Sequence, residues 1–146
     1  KNSLVDLTIE ENSDIITIAD ASEIDLIQLI APTTDEKRIK QIAAKASGFL
    51  YLISMLGITG TKSANLEDNK INLQKIRNVC TVPTVIGFGI KTPKQAGEFS
   101  QIDVDGIVIG SAFVRNIDEN FSKGKSSEEM CESTLRKVTE FAEEIK

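Results

Sequence analysis

Short apolar runs alternate with longer amphipathic segments along the whole chain. Five runs predict buried strands, at residues 2–5, 25–31, 49–54, 83–86 and 105–109. The segments after them carry apolar residues at helical spacing and predict helices over 9–23 and 33–48, from about 70 to 80, and from 92, 111 and 126 onward. Apolar strands that alternate with helices are typical of a parallel sheet covered by helices. The pattern therefore predicts one α/β domain over residues 1–146.

Helix start signals support this division of the chain. A hydroxyl residue stands three positions before Glu or Gln, the spacing of a capping box, in three pairs: Thr33 with Glu36, Thr92 with Gln95, and Ser126 with Glu129. Gly48 is the predicted stop of the second helix. The last helix has an apolar face that is predicted to pack on the core, formed by Cys131, Leu135, Val138, Ala142 and Ile145.

Composition narrows the possible chemistry. The net charge of −5 argues against nucleic acid or an anionic membrane as partner, and no apolar run is long enough to cross a bilayer. The chain has no histidine, so an acid or base must be a carboxylate, Tyr51, a lysine or a cysteine. Cys80 and Cys131 lack metal-ligand spacing and are expected to be buried thiols in a reducing compartment, with no metal site.

The start of the sequence also carries an expectation. The first residue is Lys1, and the only methionines are Met55 and Met130. The chain is therefore expected to be a piece of a longer or processed protein. A complete (β/α)8 barrel needs about 250 residues, so the pattern by itself fits five units of a doubly wound domain better.

Three of the predicted strands end in glycine-rich loops. These are GITGTKS at 57–63, GFGI at 87–90 and GSA at 110–112. Glycine lets backbone N–H groups approach an anion closely, and at Gly110 and Ser111 the loop also opens a helix. Ser111 is expected to cap that helix, to donate to a phosphate oxygen, or both. Because GFG and GS follow consecutive strands, we predict a phosphate site there.

Three further residues are candidates for a site. Tyr51 is either a buried strand aromatic or part of the lining for an aromatic substrate. Phe88 stands between two glycines in a loop and is predicted to face a ligand. Asp6 follows the first strand, where catalytic residues of such folds gather, and is retained as a candidate acid.

Four segments together resemble the tryptophan synthase alpha chain family, in one register from about Asp6 to the C-terminus. They are LIQLIAPTTDEKRI, GFLYLISMLGITGTKS, VIGFGIKTPKQA and DGIVIGSAFV. The resemblance implies a (β/α)8 TIM barrel of which this chain supplies about strands 4 to 8. Family members cleave indole-3-glycerol phosphate, in a retro-aldol sense, to indole and glyceraldehyde 3-phosphate. They work in tryptophan biosynthesis, in the cytoplasm or a plastid stroma.

The resemblance also implies roles for matching residues. Tyr51 would line the substrate pocket, with Ile30 and Val108 near the indole ring. The glycerol phosphate would be held by four residues that follow the last two strands: Phe88, Gly89, Gly110 and Ser111. No cofactor is expected in this subunit, since pyridoxal phosphate belongs to the beta subunit that receives the indole.

The remaining roles concern the lid and the catalytic acids. Thr59 and Gly60 would lie in a mobile lid that excludes water, and Gly57 beside them would contact the beta subunit. The two catalytic carboxylates of the family are expected upstream of Lys1. Asp6 matches a family aspartate, but VDLT at 5–8 lacks the flanking prolines of the usual PDLP. A polypeptide of these residues is therefore expected to bind the phosphate without cleaving substrate.

Two other functions remain open at this point. One is a different phosphate-sugar barrel enzyme, which would share the GFG and GS loops but not GITGTKS. The other is a non-catalytic half-barrel that binds phosphate and acts as partner of a beta subunit. Open sheet edges on an incomplete barrel also predict self-association.

Overall fold

The computed structural model of the chain describes residues 2–3, 13–54 and 62–145. The elements follow in chain order: β1 Asn2–Ser3, α1 Ser13–Ala21, β2 Leu26–Ile30, α2 Glu36–Ala43, β3 Leu50–Ile53, α3 Lys62–Arg77, β4 Thr84–Gly87, α4 Pro93–Phe99, β5 Gly106–Val108, α5 Ser111–Ser122 and α6 Ser127–Glu144. The five predicted strands are confirmed where the structure describes them. Residues 4–5 of the first strand and 9–12 of the first helix lie outside the described residues.

The five strands form one sheet whose strand order, β1 to β5, is also the chain order. All the neighbouring strands are parallel. Tyr51 on β3 stands opposite Leu29 on β2 and Val85 on β4. Gly87 at the end of β4 stands between Ile53 and Val108 in the same way. The parallel α/β class predicted from the sequence is therefore confirmed.

The two faces of the sheet have different surroundings. Leu50 and Leu52 on β3 are fully buried against the helices, whereas Tyr51 and Ile53 between them are only half-buried. The core on the helix side is made of apolar residues from strands, helices and the loops between them: Ile30, Ile39, Ile42, Leu50, Leu52, Leu73, Ile76, Ile86, Ile90, Ala96, Phe99, Ile102 and Phe141. The opposite face, on which Tyr51 lies, therefore remains partly open.

Two of the three predicted capping boxes are formed, at Thr92 with Gln95 and at Ser126 with Glu129. The third was wrong. Asp35 caps α2, because its carboxylate accepts a hydrogen bond from the N–H of Arg38 at 2.8 Å. Aspartate is among the best cap residues, and it stands directly before the first helical residue. Thr34 instead accepts a hydrogen bond from the N–H of Ala31 at 3.1 Å and closes the turn after β2.

Two predicted helix boundaries also need correction. The second helix, α2, ends at Ala43, and Gly48 lies in the following loop with φ of 69°, where a Cβ would lie 3.0 Å from that of Asp25. The third helix, α3, begins at Lys62, inside the segment predicted as a loop. Its first two turns carry small and polar residues apart from Leu66, so apolar periodicity marks only its second half.

The predicted face of the last helix is also wrong. Leu135 is 61% exposed and Val138 is 44% exposed, whereas Phe141, outside that stripe, is 2% exposed. The ring of Phe141 packs edge-on against Phe113 of α5, with centroids 5.4 Å apart. Cys131 is exposed as well, and Cys80 is half-buried, so the expected burial of both thiols is wrong for Cys131. The stripe at 131, 135, 138, 142 and 145 lies on the outer side of α6.

Asp105 ties the start of β5 to β4 and to the end of α3. Its Oδ2 accepts a hydrogen bond from the N–H of Thr84 at 2.6 Å and lies 2.7 Å from Nη1 of Arg77. Arg77 also donates from Nη2 to the main-chain oxygen of Asp103 at 2.8 Å. The hydrogen bond from Arg77 is the largest cause that holds the pKa of the Asp105 carboxyl below its usual value, and the Thr84 N–H acts in the same direction.

We expect this arrangement to make the free energy of unfolding depend on pH in the acidic range. The folded pKa of Asp105 lies below its ordinary value of 3.8, so its contribution is fully present above that value and is lost as the pH falls through the folded pKa. Asp105→Asn should flatten the fall in unfolding free energy below about pH 4, measured by urea unfolding at several pH values. Asp118→Asn is the control, because Asp118 is an exposed carboxylate on α5. An equal change of slope in both variants would contradict the assignment.

Candidate functional site

A cavity of about 370 Å³ opens at the carboxyl ends of β3, β4 and β5. This volume lies within the range of small-molecule sites in proteins. Its lining comes from these three strands and the loops that follow them: Tyr51, Phe88, Gly89, Ile90, Val108, Gly110 and Ser111. The structure thus brings together six residues that the sequence singled out separately, and adds Ile90.

Tyr51 crosses the end of β4 directly over Gly87. A Cβ built on Gly87 would overlap the Tyr51 hydroxyl and would lie 2.9 Å from the Cβ of Val108. The tyrosine therefore occupies its position only because residue 87 has no side chain. Burial raises the pKa of the Tyr51 phenol, so the group stays protonated at neutral pH and can donate a hydrogen bond. This role of Gly87 was not predicted from the sequence, in which Gly87 is the first glycine of the GFG loop.

Phe88 has a backbone conformation that is uncommon for its residue type. Its φ is 84°, in the left-handed region, and its side chain is 69% exposed on the cavity. Such a conformation costs about 1–3 kcal/mol and persists where the surroundings fix it. Here Ser54 fixes it, because its hydroxyl donates to the Phe88 carbonyl and its N–H donates to the Gly87 carbonyl at 2.7 Å. The loop after β4 is thereby bound to the end of β3.

The amino-terminal end of α5 forms another wall of the cavity. Gly110 is the cap residue, and its carbonyl accepts the N–H groups of Phe113 and Val114 at 3.0 and 3.2 Å. The prediction that Ser111 caps this helix is wrong, since Ser111 is the first helical residue. The N–H groups of Ser111 and Ala112 precede the first intrahelical bonds, so they can serve an anion at the positive end of the helix dipole.

The structure does not bring Ile30 to this cavity. Ile30 pairs with Leu52 in the sheet register, is fully buried, and belongs to the core on the helix side. Its neighbour Leu29 stands opposite Tyr51 and shares the face on which the tyrosine lies. Contact between Ile30 and an indole ring therefore has no support from the strand register.

Other predicted positions lie outside the described residues, namely Asp6, Gly57, Thr59 and Gly60. Within the described part of the chain, no group of three or more His, Cys, Asp or Glu residues could hold a metal ion. In that same part, none of the helices has the length and apolar character that spanning a bilayer requires.

A parallel sheet covered by helices, with a cavity at the carboxyl ends of its strands, is the arrangement found in α/β folds such as the (β/α) barrel. A family model described as "Tryptophan synthase alpha chain" matches residues 3–146. The chain belongs to the tryptophan synthase alpha chain family. The tryptophan synthase alpha chain of Geotalea daltonii is 45% identical over 116 residues, which cover 80% of this chain and 44% of that protein. The chain spans about half the length of the curated relatives it matches.

Solved structures agree with this assignment. The tryptophan synthase subunit alpha from Campylobacter jejuni superposes with a TM-score of 0.83 at 27% identity, covering 95% of this chain and 52% of that one. A tryptophan synthase complex from Pyrococcus furiosus gives a TM-score of 0.77 at 26% identity, covering 96% and 52%. The chain thus has the fold of about half of a TIM barrel, as the family resemblance implied, and the doubly wound domain favoured by the pattern alone is wrong.

Proposed function

We propose that this chain forms the phosphate-binding part of a tryptophan synthase alpha subunit, which cleaves indole-3-glycerol phosphate to indole and glyceraldehyde 3-phosphate. The observation that carries the proposal is the cavity in which Tyr51 and Phe88 stand beside Gly89 and the start of α5. One side of this cavity offers aromatic and apolar surface, and the other offers backbone donors. A substrate with an indole ring at one end and a phosphate at the other matches both sides.

The phosphate would lie against Gly110 and Ser111, where the free N–H groups at the start of α5 can donate to its oxygens. Gly89 has φ of 76°, so the loop can turn its backbone toward the ligand without a Cβ in the way. Backbone donors carry no titrating charge, so the pH dependence of this interaction would follow the ionisation of the phosphate alone. The indole would lie toward Tyr51 and Val108, over the apolar side of the cavity.

Cleavage itself needs an acid and a base besides these binding groups. We propose that they are the family's two carboxylates, one to protonate the indole ring at C3 and one to assist deprotonation at N1 before the C–C bond breaks. None of the residues that line the described cavity is a carboxylate. A polypeptide of residues 1–146 should therefore bind indole-3-glycerol phosphate and release indole only at the background rate.

A beta subunit is the proposed partner, as suggested by the resemblance of this chain to part of a tryptophan synthase complex. Gly57, Thr59 and Gly60 would supply the contact and the lid, and pyridoxal phosphate would be held by the partner alone. The proposed compartment is the cytoplasm, or the stroma of a plastid. Self-association through the free edge of β5 is the alternative for a polypeptide that lacks the other strands.

Gly110→Ala tests the phosphate contact. A Cβ at Gly110 meets nothing within 4 Å, so we expect the free energy of unfolding to fall only by the loss of about 1 kcal/mol or less that alanine causes at a helix N-cap. The added methyl group would occupy the space in which the phosphate approaches the backbone. Loss of one hydrogen bond to a charged group costs about 1.5–3 kcal/mol, so the Kd for indole-3-glycerol phosphate should rise about tenfold or more. Isothermal titration calorimetry measures it.

Val114→Ala provides the matched control, because this residue lies on the same helix one turn further and is 67% exposed. Its Kd should equal that of the unchanged chain. If Gly110→Ala also binds normally, the phosphate does not lie at the start of α5. Binding of glycerol 3-phosphate by the 146-residue chain without turnover, together with stimulation of a beta subunit that turns over by itself, would favour the non-catalytic alternative.

A further inference from the structure

A second, smaller cavity lies between α5, α6 and the loop after β4. Its volume is about 130 Å³, which is below the range of sites for whole small-molecule ligands and sufficient for a single tetrahedral oxyanion. The lining residues that matter here are polar or charged: Lys91, Ser111, Arg115, Asn116, Glu119 and Lys137. Ser111 lines the larger cavity as well, so the two sites share a wall at the start of α5.

The charge of this cavity is opposite to that of the whole chain. Three cationic side chains and one carboxylate line it, in a chain whose net charge is −5. Lys137 lies 3.2 Å from the Glu140 carboxylate, which offsets part of its charge. Among the residues that the structure describes, Lys91 and Arg115 pair with no carboxylate within 4 Å. The cavity thus has a local excess of positive charge that no internal ion pair removes.

Asn116 adds an oriented donor to this cavity. Its Oδ1 accepts a hydrogen bond from the hydroxyl of Ser133 on α6 at 3.3 Å, whereas the Thr134 hydroxyl donates to the Met130 carbonyl at 2.8 Å. Its amide nitrogen is therefore the end that remains available to a ligand. The Ser111 hydroxyl is a further donor, because capping at this helix end falls to Gly110. A concave surface that offers mainly N–H and O–H donors together with positive charge is suited to an oxyanion.

We propose that this cavity is a second oxyanion site, which binds one phosphate-like group, either free phosphate or the phosphate end of a small organic phosphate. The site shares Ser111 with the phosphate contact proposed in the larger cavity, but that contact uses backbone N–H groups, and the other residues of this site do not line the larger cavity. Because Lys91 and Arg115 are exposed, the attraction is screened by salt, and the Kd should be on the order of millimolar at low ionic strength.

Titration of the ¹⁵N-labelled chain with inorganic phosphate, followed by NMR, tests the site. We expect the side-chain amide of Asn116 to shift, and 0.5 M NaCl to raise the Kd. Arg115→Gln should raise the Kd for phosphate about fivefold or more, since the substitution removes a charged hydrogen-bond donor. Glu119→Gln should lower the Kd, because the substitution removes the opposing charge. Lys123→Gln, an exposed residue that follows α5 outside the cavity, is the control and should change nothing.

The opposite signs for Arg115→Gln and Glu119→Gln exclude a merely structural role for these side chains. No shift at Asn116, or a Kd that both variants leave unchanged, would overturn the proposal. Shifts of the Gly89 and Gly110 amide signals report on phosphate in the larger cavity instead. If those signals do not shift while that of Asn116 does, the proposed function fails but the second oxyanion site does not. A second titration with glycerol 3-phosphate identifies the source, because the Asn116 shift recurs only if the site accepts a phosphate that carries an organic chain.

Discussion

Gly87→Ala should disrupt the candidate site by displacing the Tyr51 side chain. The new Cβ would overlap the Tyr51 hydroxyl and lie 2.9 Å from the Val108 Cβ, and β4 is held between two neighbouring strands and cannot move away. Overpacking of this kind costs about 1–3 kcal/mol. Tyr51 must also leave its position, so we expect the Kd for indole-3-glycerol phosphate to rise more than about tenfold. Urea unfolding and calorimetry measure the two effects.

Gly106→Ala is the matched control for this variant. Gly106 lies on the neighbouring strand and faces the same side of the sheet, but its added Cβ would meet only Val85, at 3.2 Å from one methyl group. Its cost should be well below that of Gly87→Ala. The double variant Gly87→Ala with Tyr51→Leu should recover part of the lost stability, since the overlapping ring is gone. If the two alanine variants behave alike, Tyr51 does not lie over Gly87.

Phe141→Ala should be the most destabilising single change in α6. The side chain is 2% exposed, packs edge-on against Phe113, and has the ammonium group of Lys137 5.9 Å from its ring centre. Truncating a buried phenylalanine costs about 3–5 kcal/mol, because it removes apolar contact and leaves a cavity. That is a large fraction of the roughly 5–15 kcal/mol by which a domain is stable. The shift of the urea midpoint at constant m-value measures it.

Leu135→Ala is the control, since Leu135 is 61% exposed on the same helix. An exposed substitution away from special features should change stability by no more than about 0.5 kcal/mol. The two variants also test which face of α6 packs on the core, because the sequence pattern predicts a larger loss of stability for Leu135→Ala than for Phe141→Ala. A larger loss for Leu135→Ala would mean that the outer stripe of α6 is covered in solution.

The sequence was sufficient for features that depend on neighbouring residues. The capping boxes at 92–95 and 126–129 are local patterns, and the structure contains both. The GFG and GS loops are also local, and the parallel fold brings them together because every strand ends at the same edge of the sheet. Tyr51 could be placed near these loops once three consecutive strands had been assigned. The apolar runs predicted those three strands correctly.

Features that depend on the sheet register could not be read from the sequence. Strand β2 reads LIQLI, and its polar residue, Gln28, lies on the same face as the buried Ile30. Alternation around Gln28 would therefore assign Ile30 to the polar face, and a shift of one residue exchanges the faces. The position of Gly87 under Tyr51 is set by register in the same way.

The exposed stripe on α6 has another cause. Periodicity identifies an apolar face of a helix, but it does not tell whether that face packs against another element of the same chain. Here α6 contacts α5 through Phe141 and through the Ser133 hydroxyl, which donates to Asn116 and accepts from Asn120, and these contacts turn Leu135 and Val138 outward. A pairing made partly of polar side chains leaves no signal in the hydrophobic pattern.

The strand order has a consequence for how the chain reaches this structure. Each strand pairs with the next one in the sequence, so every pairing closes one loop, which contains a single helix among its described residues. Closing such short loops costs little entropy, and contacts close in sequence favour fast folding. During synthesis, β2 and β3 can pair before β5 has left the ribosome, and each later unit adds to an edge that already exists. The domain can therefore grow from one end, as repeat proteins do.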